Sequence, residues 1–563
     1  MNARGKDPGP AGEARPGRGP GGQEAREVGQ AGISLDFSFS CARLKPRGNS
    51  APKGGSMIKT ILLIPRCLAG AALVLTAFCQ TIGGAGTPGA ESQPTALPSA
   101  GSARPGEQTV EAASSPTASF LPLVPEEYAD RLVQPQDLRY LGAFRLPGGE
   151  ERPKTFAYGG SAMTFNPNGD PSGPDDGFPG SLFISGHDRL AYGELPDGGQ
   201  VAEVSIPLPV QSQELGALET AEFLQDFSDV ARGFFPGLDE IPRLGLQYLD
   251  HPATGPKIHL AWGQHLQPDP PTASHAWFNP DLANPDMQGT WFIGNQPLYS
   301  VNGYLFEVPA AWADRHAAGR PLATGRFKDG GTGGMGPALL AYRPWVDEHG
   351  TPAADGAHLD ETVLLLYASA EQTLDIEQAL QGYQHPDEWE GGAWLTTSAG
   401  KSAVLFAGTK GVGAKYWYGF VNPTGPEQPC VYEEFVGQFT VCRQADGAPC
   451  PPEDLIECQD HNEYRGWWSS RFEARFLLYD PDDLARVAAG EIAPWQPQPY
   501  ASFSFDEVLF HNPAGVEPDM LGTGVQRRYR VGEVAYDRRN GLLYVLELYA
   551  DSPRPVVHVW RVE

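Results

Sequence analysis

Past residue 130 the chain alternates short apolar runs with Gly/Pro/Asn/Asp turns, and one phrase returns five times. A glycine opens it, an apolar run with period-two alternation follows, and a polar turn ends it. The copies begin at Gly160, Gly245, Gly336, Gly392 and Gly532. A more apolar run follows each, at 181–185, 257–262, 362–367, 402–407 and 542–546. A third often comes next, at 201–206, 303–308, 475–479 and 556–562. Runs of this length and period read as β-strands.

Two longer connections also resemble each other. Residues 305–319 and 477–490 each read as a strand, a capped short helix, and a return toward Phe327 or Phe505. Asp480 before Pro481 suits an N-cap and a first helical position.

Five successive antiparallel units with no βαβ alternation argue for radial repetition, which hides strand edges by making each sheet a blade. The recurring glycine fits innermost strands, whose backbones approach closely near the axis. The strand at 138–146 has no unit of its own, and the last unit supplies three strands before Glu563. The expected fold is therefore all-β. It is a β-propeller of five blades, with six as the alternative, closed by an N-terminal strand completing the C-terminal blade.

The preceding text is of another kind. Residues 1–56 are rich in Gly, Pro and Arg, lack apolar periodicity, and read as a disordered, over-extended upstream reading frame. Residues 57–85 hold a short basic start, an apolar core broken by Pro65 and Arg66, and small residues near Gly83. These are the parts of a secretory signal. Residues 86–130 read as a flexible linker and 131–563 as the propeller, with a loop insertion at 411–470. Secretion, or a cell-surface or periplasmic address, is the expected localisation, with no membrane contact beyond the signal.

Cysteine usage agrees. Cys430, Cys442, Cys450 and Cys458 crowd into one stretch without the CxxC pairs of a zinc site, so two disulfides stapling the insertion are expected. Their pairing is open among three connectivities. Net charge is −28, and residues past 120 carry 29 basic and 61 acidic side chains. Such a surface repels nucleic acid and anionic lipid.

No catalytic signature survives inspection. Gly400-Lys401-Ser402 resembles the end of a phosphate loop, but a strand follows it where a helix is required. There is no HExxH and no GxSxG. Asn166, Asn168, Asp170, Asp175 and Asp176 resemble the start of a calcium loop. Pro171 stands where its glycine belongs and no Glu closes it, so a polar inter-strand loop is preferred, with calcium the one cofactor considered.

Residues 135–563 resemble secreted bacterial β-propellers, most closely over 532–562, without a specific family signature, so no family's catalytic residues carry over. The resemblance implies a ligand face where loops enter inner strands and leave second strands. Entering loops would offer Tyr158, Glu240, Arg243, Asp329, Glu388, Glu390 and Arg530. Leaving loops would offer His187, Asp188, Arg189, Gln264, His265, Glu371, Lys410 and Asp551, with His187 and His265 in equivalent positions. Excursions at 266–290 and 411–470 would add Trp277, Trp417, His461, Glu463, Arg465, Trp467 and Trp468. Carboxylates, cations and aromatic planes on one rim suit a polyhydroxylated ligand. The expected function is a monomeric binding module for a glycan, a small molecule or an extracellular protein. The alternative is a carbohydrate-active hydrolase or lyase using axial carboxylates such as Glu240 and Glu388.

Overall fold

A computed structural model describes residues 130–563 except 150–151, 171–176, 187–198, 236–242, 264–271, 298–299, 302, 327–333, 370–377, 385, 417–420, 423–424, 427–431, 437–438, 444–467 and 512–526. The segments read above as upstream extension, signal and linker fall outside the described residues, apart from Asp130. Of the four clustered cysteines, Cys430, Cys450 and Cys458 lie outside the described residues.

Five sheets form five blades. Blade 1 is β2 (Met163–Asn166), β3 (Gly177–Ser185), β4 (Gln200–Pro207) and β5 (Phe223–Asp229). Blade 2 is β6 (Leu244–His251), β7 (Gly255–Trp262), β8 (His275–Phe278) and β9 (Gln288–Ile293). Blade 3 is β10 (Leu305–Glu307), β11 (Leu322–Thr324), β12 (Ala338–Tyr342) and β14 (Glu361–Leu366), with helix α1 (Ala310–His316) after β10. The two-residue β13 (His358–Leu359) pairs in parallel with the edge of blade 2. Blade 4 is β15 (Glu388–Thr396), β16 (Ser402–Tyr416), β21 (Trp468–Tyr479) and β22 (Ala501–Ser504), with helix α2 (Pro481–Ala488) before β22. Between β16 and β21 lie two small hairpins, β17 (Val421–Asn422) with β18 (Gly425–Pro426), and β19 (Tyr432–Val436) with β20 (Phe439–Arg443). Blade 5 is β23 (Val531–Asp537), β24 (Leu542–Asp551), β25 (Arg554–Val562) and, from the other end of the chain, β1 (Leu138–Arg145).

The closure is the one expected. β1 pairs antiparallel with β25, from Leu138 opposite Val562 to Arg145 opposite Val556. The innermost strands touch in a cycle from β2 through β6, β10, β15 and β23 back to β2, so the ring has five members.

Apolar side chains fill five separate cores, one between each pair of neighbouring blades. This explains why the middle strands read as unbroken apolar runs. In β16, Ala403, Leu405 and Ala407 pack toward blade 5, while Val404 and Phe406 pack toward blade 3. β21 divides likewise, with Phe476 and Leu478 on one face and Leu477 and Tyr479 on the other. A strand buried on both faces has no polar side to alternate with. Trp389 and Trp394 lie in the core between blades 3 and 4, and Trp560 in the one between blades 4 and 5.

The close approach of inner strands is real at the glycines. A Cβ on Gly532 would stand 2.5 Å from the Gly160 carbonyl oxygen of the adjacent inner strand's lead-in, and one on Gly245 would collide with the carbonyl of Gly303. Gly532→Ala must therefore spread two blades. It is expected to lower unfolding stability by about 1–3 kcal/mol, as overpacked cores do, read from the urea midpoint.

Two readings of the sequence are corrected. The phrase at Gly336 is not an inner strand, because it leads into β12, third in blade 3, and β10 takes the inner position. β10 and β11 have only three residues each and α1 interrupts them, so blade 3 has no inner strand long enough for the phrase. Gly336 is instead needed for the Tyr367 ring against it. The paired strand–helix connections also differ in role: α1 links first to second strand in blade 3, and α2 third to fourth in blade 4. Asp480 does cap α2, accepting from the Asp482 N–H at 2.9 Å. The second correction concerns 266–290, whose described residues, 272–290, are no excursion. They carry β8 and β9, and Trp277 is buried against blade 3.

Candidate functional site

Every inner strand starts at the same end of the axis, so the residues just before β2, β6, β15 and β23 gather there. Arg243, one residue before β6, reaches across the axis to blade 4. Its Nε lies 2.5 Å from Glu390 Oε2 and its Nη2 2.7 Å from Oε1, a two-pronged pair with both side chains almost fully buried. Blade 3 stands between those blades in the ring, so this pair ties non-adjacent blades together. Burial opposes the charge on Arg243. The Glu390 carboxylate, with Glu388 behind it, outweighs that and holds the guanidinium above its ordinary pKa.

A second buried pair lies at the same end of blade 4. Lys410 Nζ is 2.9 Å from Asp387 Oδ1, and the same oxygen accepts from the Gly411 N–H at 2.9 Å. Burial pushes the Asp387 carboxyl up while Lys410 opposes it. Glu388 is buried beside them at the start of β15, opposite Thr409 in the ladder. Arg530 leads into β23. Its N–H donates to Thr409 Oγ1 at 3.0 Å, and its Nη1 meets Asp506 Oδ1 at 3.0 Å.

Tyrosines adjoin these charges. Tyr158, Tyr529 and Tyr549 all have left-handed backbones, at φ 60°, 54° and 57°. A bulky residue there is strained, and such strain persists only where surroundings impose it. Tyr158 and Tyr549 meet edge to face at 6.1 Å between ring centres. The guanidinium carbons of Arg528 and Arg243 lie 4.8 Å and 6.0 Å from the Tyr529 ring centre. Tyr158 and Tyr529 are half-buried and pack against Leu548 and Tyr549.

No protein-family model matches the sequence, and no curated protein matches it. Among solved structures, a chain of a humanized mutant of the Chaetomium thermophilum Polycomb Repressive Complex 2 bound to the inhibitor GSK343 aligns over 75% of this chain and 98% of its own, at 9% identity and TM-score 0.26. A chain of the same complex bound to GSK126 aligns over 75% and 97%, at 9% identity and TM-score 0.25. Likeness this slight carries no argument.

Of the residues selected from the sequence, Arg243, Glu388, Glu390, Lys410 and Arg530 come together at this end of the axis. His187, Asp188, Arg189, Glu240, Gln264, His265, Arg465 and Trp467 lie outside the described residues, as do Asp329, Glu371, Trp417, His461 and Glu463. Asp551 belongs to the closure, where Arg145 and Arg554 meet it at 2.9 Å and 2.8 Å. In the loop that resembled a calcium site, Asn166 Nδ2 donates to Glu203 Oε1 at 2.9 Å and Asn168 Nδ2 to Tyr248 Oη at 3.0 Å. Among the described residues no group of three metal-ligating side chains occurs, and no helix is long and apolar enough to cross a membrane.

Sequence reasoning passed over Asp387, Tyr529, Tyr549 and Glu533. The first two were within reach, since Asp387 and Tyr529 adjoin the selected Glu388 and Arg530. Glu533 lies within β23, fully buried. Its Oε1 accepts from the Val534 N–H at 3.1 Å, and its Oε2 has no partner among the described residues. An alternating strand pattern gives no sign of a lone acid turned inward.

Proposed function

We propose that this protein is an exported binding module that holds a carbohydrate at the entry end of the propeller axis, against the faces of Tyr158 and Tyr529. The observation carrying this reading is the two half-buried tyrosines that pack with Tyr549 in left-handed backbone, Tyr529 standing beside the Arg243 guanidinium of the cross-axial pair. Aromatic faces take the apolar side of a sugar, and fixed charges beside them keep the platform rigid. Binding leads over catalysis because both Glu390 oxygens are engaged by Arg243 in a buried ion pair, the arrangement of a structural tie between blades.

The test is a polysaccharide panel applied to the full chain, with retention and new reducing or unsaturated ends measured together. Tyr529→Asn removes the ring at a backbone angle Asn tolerates, and is expected to weaken retention roughly tenfold, the scale of one aromatic contact. Absence of retention across the panel sinks the carbohydrate reading. New chain ends would make the protein a hydrolase or lyase instead.

A further inference from the structure

Beside Arg530 a cleft of about 460 Å³ opens between two segments, lined among the described residues by Gln213, Leu215, Phe510 and His511. One wall follows β4 and the other follows β22, and both are tied to blade 5. Gln211 Nε2 donates to the Tyr140 carbonyl at 3.0 Å. The N–H groups of Phe510 and His511 each donate at 2.8 Å to the Glu547 carboxylate on β24. Glu547 is fixed in turn by His558 Nε2 at 3.0 Å, and the Tyr140 hydroxyl lies 2.9 Å from His558 Nδ1. The Phe510 ring packs 5.7 Å from the His558 ring. The cleft thus stands on sheet rather than on loop alone.

His511 has φ 49°, a left-handed angle for a residue with a Cβ, held by that carboxylate. Its ring chemistry is set from behind. Arg530 Nη1 lies 3.2 Å from both ring nitrogens and is anchored on Asp506 at 3.0 Å. Both ring nitrogens thus lie against this guanidinium, and Nε2 also stands 3.9 Å from Asp506 Oδ1. Burial first, then Arg530, pushes the His511 pKa below its ordinary value, in keeping with a neutral ring. Gln213 Nε2 faces the Glu507 carbonyl at 3.5 Å, which leaves the carboxamide oxygen as an acceptor for the cleft.

We propose that this cleft is a second binding site, for a neutral sugar ring, which the Gln213 carboxamide oxygen would hold as acceptor while Phe510, Leu215 and the His511 ring take its apolar face. Its size falls within the range of small-molecule sites. Among the described residues the lining side chains bear no formal charge.

The experiment titrates the full chain with neutral methyl hexosides and N-acetylhexosamines, read by ligand-observed NMR and calorimetry. His511→Gly removes the ring and relieves the backbone angle, and Gln213→Ala alters an exposed side chain, so both variants should fold. Saturable binding to the parent chain is expected, weakened about fivefold or more in each variant and unchanged in Tyr529→Asn. The proposal is overturned if no sugar saturates, or if His511→Gly binds as well as the parent. Loss in Tyr529→Asn alone would assign the binding to the axial tyrosines and likewise overturn it.

Discussion

Arg243→Ala is expected to lower unfolding stability by about 3–5 kcal/mol, the cost of leaving a buried carboxylate without its partner. Glu390 is almost fully buried and gives both oxygens to Arg243. Removing the guanidinium leaves two acceptors in a region that water does not reach. The pair also joins blade 2 to blade 4 across the axis, so the loss should show as a lower urea midpoint with an unchanged slope. The double variant Arg243→Met with Glu390→Leu separates the pair's worth from the penalty of breaking it. Replacing both charges with apolar groups should recover most of the loss, because neither must then be stripped of water. A single variant within about 1 kcal/mol of the parent would mean the pair is solvated in solution and does not bridge the ring.

The second large effect is in the dependence of stability on pH. Burial pushes the Glu533 carboxyl well above its ordinary range, against the Val534 N–H, and nearby Glu390 adds to the rise. A carboxyl raised in the folded state contributes stability that is fully present below its unfolded value. That contribution is lost as pH climbs toward the folded value, by about 1.4 kcal/mol per pH unit. His259 and His275 act at the other limb. Burial lowers each to about 3 from an ordinary 6.5. Their contribution is present above 6.5 and is lost as pH falls toward 3. Stability from these three groups is therefore greatest near neutrality and declines on both sides.

Glu533→Gln should flatten the alkaline limb, since the amide can keep the Val534 hydrogen bond and cannot ionise. His259→Leu should shallow the acid limb, because His259 is fully buried between Trp277 and Trp345 with neither ring nitrogen partnered among the described residues. Thermal midpoints of the three proteins between pH 4 and pH 9 would check both, within the span of ordinary protein stability maxima. An alkaline limb identical in the parent and Glu533→Gln would show that this acid ionises at its ordinary pKa.

The architecture was legible wherever each face of a strand meets a neighbour of its own. The runs at β3, β7, β16 and β24 are apolar on both faces because each lies between two blades, and the turns between them are local chemistry. Gly245 and Gly532 marked inner strands because only a missing side chain allows the approach they make. The scheme slipped at blade 3, where three-residue strands are too short to show a period and a helix divides them. It slipped again at β8, whose Trp277 reads as a surface aromatic until its burial against Trp291 and Trp345 is known.

The site divides in the same way. That Arg243, Glu388, Glu390, Lys410 and Arg530 share one end follows from the order of strands in an up-and-down blade, which sequence can supply. Their being buried pairs rather than a solvated rim depends on which blades the ring sets opposite each other. By itself, then, the sequence determined the all-β class, the five-fold repetition and the closure of β1 on β25, since periodicity and turns are encoded within a few residues. Only the tertiary structure decided which strand of blade 3 is innermost, that Glu390 belongs to Arg243 from two blades away, and that Glu533 is buried near Glu390. Those outcomes depend on contacts between residues roughly 60 to 150 positions apart, and no local pattern records them.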